Sequence, residues 1–185
     1  MTLPDLRIDS AGFAAGIRYL PSPNSDARPA EAVIDLLVIH NISLPPGEFG
    51  GPGIIDLFMN RLDPAAHPYY REIAHLKVSA HFLVRRDGEL IQFVPCAQRA
   101  WHAGESAWRG RGRCNDYSIG IELEGADDQT FSNIQYEQLA RLTRVLQAAY
   151  PGLEIVGHSD IAPARKTDPG PCFDWPRLRE LVRPR

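Results

Sequence analysis

The sequence predicts a mixed α/β fold in which a central mixed β-sheet is flanked by helices. Three observations point there. Residues 33–39 gather Val33, Ile34, Leu36, Leu37, Val38 and Ile39 in a short apolar run bounded by turn formers, the pattern of a strand buried on both faces. Residues 78–85 and 89–94 are two β-rich runs joined by Arg86-Asp87-Gly88, and an Asp-Gly pair favours the positive φ angles of a tight hairpin turn. Residues 133–150 repeat Ile134, Leu139, Leu142, Val145, Leu146 and Ala149 at helical spacing, with Ser132 as the N-cap and Pro151-Gly152 as the stop.

The remaining elements follow in chain order. Residues 1–30, broken by Pro21, Pro23 and Pro29, read as an extended lead-in. After His40 comes a Gly- and Pro-rich segment, 41–75, predicted to hold one short helix near 54–62 with loop on either side. A connection of this length inside a compact domain is usually functional or disordered, and it is expected to line a cleft. Residues 117–123 read as another interior strand, where Gly120 allows close backbone approach. A short strand is expected at 154–157, and a last helix starts at the Asp174 N-cap before Trp175-Pro176 and runs to Val182.

At 185 residues and 44% hydrophobic content, the chain suits a single domain, 1–185, with a core that needs no disulfides. A formal net charge of −3 argues against a nucleic-acid partner, which would normally face a clustered basic excess. The basic stretch 109–113 is spaced by glycines and reads as a solvated loop. Three cysteines, Cys96, Cys114 and Cys172, are an odd and sparse set, unlike a disulfide framework and in keeping with a reducing compartment. The charged N-terminus offers no secretory apolar region, and no stretch approaches the ~18 apolar residues of a membrane span. The expectation is a cytoplasmic protein with no membrane partner.

Among six histidines, two stand out because each closes an apolar strand: His40 after Leu37-Val38-Ile39, and His158 after Ile155-Val156-Gly157. Side chains at strand ends emerge at the rim of a sheet, where sites on such folds lie. Asp168, in Lys166-Thr167-Asp168-Pro169-Gly170, is a third candidate. Two imidazoles and a carboxylate suit zinc and leave its fourth position open. An Asp-Pro-Gly turn is the competing account of Asp168. Glu122 lies in the otherwise apolar strand Ser118-Ile119-Gly120-Ile121-Glu122-Leu123-Glu124, where a charged residue needs a partner or a task. It is either a carboxylate of raised pKa able to take a proton from water or half of an ion pair. Alternation alone does not choose between Glu122 and Glu124.

Several segments together resemble the cytoplasmic 1,6-anhydro-N-acetylmuramyl-L-alanine amidases of the zinc-dependent N-acetylmuramoyl-L-alanine amidase family. They are Leu37-Val38-Ile39-His40-Asn41-Ile42-Ser43-Leu44-Pro45-Pro46-Gly47, Ser79-Ala80-His81-Phe82, Ala100-Trp101-His102-Ala103-Gly104 and Cys114-Asn115-Asp116-Tyr117-Ser118-Ile119-Gly120-Ile121-Glu122, then Gly157-His158-Ser159-Asp160-Ile161-Ala162-Pro163 and Arg165-Lys166-Thr167-Asp168-Pro169-Gly170-Pro171. The resemblance spans about 17–182. It implies the peptidoglycan-recognition-protein-like sheet fold, one Zn²⁺ held by His40, His158 and Asp168, and Glu122 and Lys166 as the catalytic pair. The implied substrate is a small anhydromuramyl peptide, split between the lactyl group and L-alanine during cell-wall recycling.

Four further residues are candidates for substrate binding. Trp101 presents an aromatic face for sugar stacking, or packs in the core. Arg113 suits bidentate contact with a stem-peptide carboxylate, and Lys77, where the family has arginine, would make a similar contact. Asn41 binds substrate or fixes His40. His81 and His102 are read as structural or as supports behind the ligands. Two alternatives to the recycling enzyme stand beside it: an amidase of intact peptidoglycan, and a non-catalytic peptidoglycan-recognition module. A monomer is expected.

Overall fold

The structure is a computed structural model that describes residues 5–183; residues 1–4, the start of the expected lead-in, and 184–185 lie outside the described residues. The strands are β1 (Arg18–Tyr19), β2 (Ser25–Ala27), β3 (Leu36–Ile42), β4 (Phe82–Val84), β5 (Leu90–Gln92), β6 (Gln98–Ala100), β7 (Ala107–Trp108), β8 (Arg111–Gly112), β9 (Ser118–Glu124) and β10 (Glu154–Gly157). The helices are α1 (Gly53–Phe58), α2 (Pro68–Ile73), α3 (Asn133–Ala149), α4 (His158–Ile161) and α5 (Trp175–Val182). Six strands form one sheet in the order β1-β5-β4-β9-β3-β10. Only the β4–β5 pairing is antiparallel, so the sheet is mixed. None of the helices among the described residues is long and apolar enough to cross a membrane.

The two longest strands, β3 and β9, lie side by side in the middle, and alternation sends their side chains to opposite faces. Leu37, Ile39, Ile119, Ile121 and Leu123 join Leu139, Leu142, Leu146 and Leu178 of α3 and α5 in the main core. Leu36, Val38, His40 and Ile42 are paired with Ser118, Gly120, Glu122 and Glu124, and these eight face the other way. That second face is polar on the β9 side, and the site is built there. α3 begins with a complete capping box, Ser132 with Gln135, which satisfies two otherwise orphan donors. α5 starts at Asp174, whose side chain accepts from the Arg177 N–H at 3.0 Å.

Several boundaries differ from expectation. The apolar run enters the sheet only at Leu36, because Val33 is 69% exposed and lies before the strand. The lead-in contributes two strands: β1 pairs with β5, and β2 pairs with β6 in a small separate sheet. The hairpin turn has one positive φ, at Gly88 (+88°). Gly88 N–H bonds to the Arg85 carbonyl, and Arg85 N–H to the Glu89 carbonyl, the three-residue loop in which a single glycine takes the left-handed position. Segment 41–75 holds two helices; the second, α2, is capped by His67, whose Nδ1 accepts from the Tyr69 N–H at 3.1 Å, with Pro68 at its first position.

Arg28 is the main tie from the lead-in to the sheet. Its largely buried guanidinium donates to the carbonyls of Cys96 (3.1 Å), Asn115 (3.0 Å), Asp116 (3.1 Å) and Ser118 (2.8 Å).

Candidate metal centre and cleft

Register delivers three of the site residues. His40 stands opposite Glu122 on the neighbouring strand. Ile39 stands opposite Gly157, so His158, the first residue of α4, lies beside His40. His40 is thus within β3 and not at its end; the strand runs on to Ile42. Asp168 returns on the loop after α4, held by the Ser159 N–H to its carbonyl at 2.9 Å. Gly157 makes that return possible, because a Cβ there would lie 2.9 Å from Pro169 Cδ.

The three donor atoms converge. His40 Nδ1 is 2.9 Å from His158 Nδ1 and 3.1 Å from Asp168 Oδ2, and His158 Nδ1 is 3.0 Å from the same oxygen. Ligands set tetrahedrally at 2.0–2.1 Å from one ion stand about 3.3 Å apart, so the triangle fits a small divalent cation. The chemistry of the donors fits too. The second nitrogen of His158, Nε2, faces the Ala103 carbonyl at 3.2 Å; it must carry the proton there and leave Nδ1 with a free lone pair. Burial pushes the pKa of His40 down to about 4, outweighing the hydrogen bond to Asp168, so its imidazole is neutral at physiological pH. Burial alone would raise the Asp168 carboxyl, but its short contacts with the His158 and His40 imidazoles hold it well below its ordinary value. Two imidazoles and one carboxylate aimed at one point form a group that can hold a metal ion.

Glu122 flanks this triangle. Its Oε2 is buried without a hydrogen-bond partner among the described residues. Burial, reinforced by the Asp168 charge and opposed by Lys166, raises its pKa well above the ordinary carboxylate value. Both Glu122 and Lys166 open into a cavity of about 360 Å³ together with His40, His158 and Asp168. Its other walls mix apolar side chains, Leu44, Leu57, Phe58, Tyr69, Ile73 and Val78 among them, with Asn41, Ser43, Ser79 and His102. Most of these come from segment 41–75, which lines the cleft. A hollow that joins apolar walls to convergent polar groups is the usual form of a small-molecule site.

The sequence pattern of the N-acetylmuramoyl-L-alanine amidase family matches residues 30–171. This chain belongs to that family. It is 60% identical over 173 residues, 92% of this chain and 94% of the relative, to the Escherichia coli (strain K12) protein named 1,6-anhydro-N-acetylmuramyl-L-alanine amidase AmpD. A crystal structure of a Se-Met AmpD derivative is 57% identical and superposes with a TM-score of 0.92, covering 94% of this chain and 98% of that one. The E. coli amidase AmiD, solved with the substrate anhydro-N-acetylmuramic acid-L-Ala-D-gamma-Glu-L-Lys, is 31% identical with a TM-score of 0.61, covering 95% of this chain and 65% of that one. The sheet-and-helix fold expected from the sequence is the fold of these amidases, and the chain is an amidase.

Of the four outer candidates, only Asn41 lines the cleft of this amidase. Its amide nitrogen donates to Asp127 Oδ1 at 2.7 Å, which orients the group and leaves its own oxygen free to accept. Lys77 is exposed between two cleft residues, Leu76 and Val78. Trp101 is neither core nor cleft wall; its indole N–H donates to Asp26 Oδ1 at 3.2 Å. Arg113 is exposed, with Nε 3.1 Å from Asp116 Oδ2 and a left-handed φ of +60°. The structure therefore does not gather Lys77, Trp101 and Arg113 at the metal group. Sequence reasoning missed Asp127, the Ala103 carbonyl and Arg165, whose guanidinium bonds to the carbonyls of Ala103 and Glu105, each at 2.7 Å. Backbone acceptors leave no trace in sequence. Asp127, beside Asp128 in a loop, reads as an ordinary turn residue.

Proposed function

We propose that this amidase hydrolyses the amide between the lactyl group of 1,6-anhydro-N-acetylmuramic acid and the L-alanine of the stem peptide, on fragments released by cell-wall turnover. The observation that carries the reading is the juxtaposition, in one cleft, of a His40–His158–Asp168 metal group with a buried, unpartnered carboxyl at Glu122. The names of the AmpD relatives and the muropeptide bound to AmiD support the substrate class.

His40, His158 and Asp168 would hold one Zn²⁺, the ion their donor set suits. When bound, zinc supplies Lewis-acid polarisation and makes water more acidic. Glu122 accepts the proton of the attacking water at Oε2 and returns it to the alanine nitrogen as the C–N bond breaks. Its raised pKa suits both transfers, because the group holds the proton between them. Water oxygen ends on the lactyl carbonyl carbon, giving a carboxylic acid and a free amine. Lys166 lies in the same cleft as a cation facing the charge that develops on the carbonyl oxygen. Asn41 supplies an acceptor, Lys77 and Arg113 are the cations proposed for peptide carboxylates, and Trp101 is the aromatic face proposed for the sugar. The apolar walls cover the sugar and exclude water. The proposed working unit is a monomer. All three cysteines are free, which supports a cytoplasmic setting.

The test is cleavage of anhydromuramyl-tripeptide by purified protein, followed by mass spectrometry, with metal intact, chelated and restored with zinc. Free tripeptide that disappears on chelation and returns with zinc is the expected result. Absence of cleavage with zinc bound would redirect the reading to intact peptidoglycan or to a recognition module.

A further inference from the structure

An imidazole that gives one nitrogen to a cation carries its proton on the other, and that proton needs an acceptor. For His158 the acceptor is the Ala103 carbonyl. For His40 it is a side chain: Nε2 lies 2.9 Å from His102 Nδ1. His102 can accept there only if its own proton sits on Nε2, and that nitrogen lies 3.1 Å from Ser118 Oγ. A hydroxyl accepts as readily as it donates. Ser118 is fully buried, and His102 is the hydrogen-bond partner of its hydroxyl among the described residues.

The placement of His102 is over-determined. Its ring lies against the bare backbone of Gly120, where a Cβ would come within 2.5 Å of the ring. It meets His40 edge to face, with centroids 5.0 Å apart. The backbone N–H groups of His102 and Ala103 both donate to Asn115 Oδ1, at 3.2 and 2.8 Å. Ser118, Gly120 and Glu122 are alternate residues on one face of β9, so a single strand offers the hydroxyl, the space and the general base in sequence.

We propose that His102 and Ser118 form a positioning relay for His40, holding the imidazole in the tautomer whose Nδ1 lone pair points at His158 and Asp168. The relay rests on the reading of those three residues as a metal centre. Neither member touches the cation or the scissile amide; each acts through the ligand.

The test is zinc affinity, measured on metal-free protein by competition with a chromophoric chelator. His102→Phe should bind zinc roughly 10–100-fold more weakly, the usual effect of removing a partner behind a ligand, and Ser118→Ala should show a smaller loss in the same direction. His102→Asn should retain more affinity than His102→Phe, because its Oδ1 can accept from His40. A merely structural role predicts the reverse order, since phenylalanine refills the ring's space and asparagine leaves a void. Wild-type affinity in both His102 variants, or phenylalanine surpassing asparagine, would overturn the relay. Should His102→Phe fail to fold, nitrogen NMR of the zinc-loaded wild type decides: a proton on His102 Nε2 is expected, and one on Nδ1 would refute it. Asp168→Ala is the control. Unchanged zinc binding in that variant sinks the metal centre itself, whereas its loss alongside unaffected His102 variants sinks only the relay.

Discussion

Glu122 and Glu124 stand two residues apart on β9, face the same way and are both buried, yet the sheet treats them oppositely. Glu122 sits mid-strand beside His40 with one oxygen unpartnered, and its pKa is driven upward. Glu124, at the strand end, is fully engaged. It accepts from the Gly50 N–H at 2.7 Å and the Arg86 N–H at 3.0 Å, and lies 3.4 Å from Arg85 Nη2. Arg85 in turn donates to the Gly51 carbonyl at 3.0 Å. One carboxylate is held ready for chemistry; its neighbour pins the loop that forms the cleft wall. Residue type and burial do not distinguish a working group from a tether, but unmet hydrogen-bonding capacity does.

The sharpest test of this contrast is Glu122→Gln. Removing a general acid–base group should lower kcat by about 10²–10⁴-fold with zinc still bound, and near-normal turnover would erase the distinction. Glu124→Ala should do the opposite. Breaking a buried, hydrogen-bonded charge pair costs about 3 kcal/mol or more, read as a lowered denaturation midpoint, while zinc-loaded enzyme that remains folded keeps most of its kcat. Third, Lys166→Ala should lose about a hundredfold in turnover while retaining metal; zinc loss in that variant would assign the lysine to the fold of the loop. A fourth test uses pH. The folded-state pKa of Glu122 lies above its unfolded value, so the folded protein binds the extra proton. Its stabilising contribution is complete below the unfolded pKa and fades as pH rises through the folded one. Metal-free wild type should therefore lose stability relative to Glu122→Gln across that rise, and parallel curves would contradict the raised pKa. The smallest effect is expected from Arg113→Ala, a modest rise in KM for peptide-bearing substrate. An unchanged KM would remove Arg113 from the site.

Much of the frame was legible because it rests on local patterns. The apolar run that ends at Ile39, the glycine at 88 and the Ser132 N-cap each impose structure on near neighbours. The group that can hold a metal was legible differently: His40 and His158 each follow an apolar run in the sequence, and parallel neighbours bring such positions together. What escaped detection depends on distant partners. The two-residue strand β1 has no period to read. α2, six residues long, is marked only by His67-Pro68. Trp101 and Arg99 meet Asp26 across 75 and 73 positions of sequence, which no spacing rule anticipates. Alternation did not separate Glu122 from Glu124; the family resemblance implied Glu122, and the positions of Gly50, Arg85 and Arg86 supply the physical reason.

Where it holds the turn leading into β9, at Asn115, Asp116 and Ser118, the Arg28 clamp addresses main-chain carbonyls. A fastening of that kind is blind to the identity of the side chains it secures. The turn leading into β9 is therefore free to exchange its outward residues during divergence while keeping its path. Such freedom lies at the entry to the strand that carries Glu122, so side chains can change there on an unchanged frame.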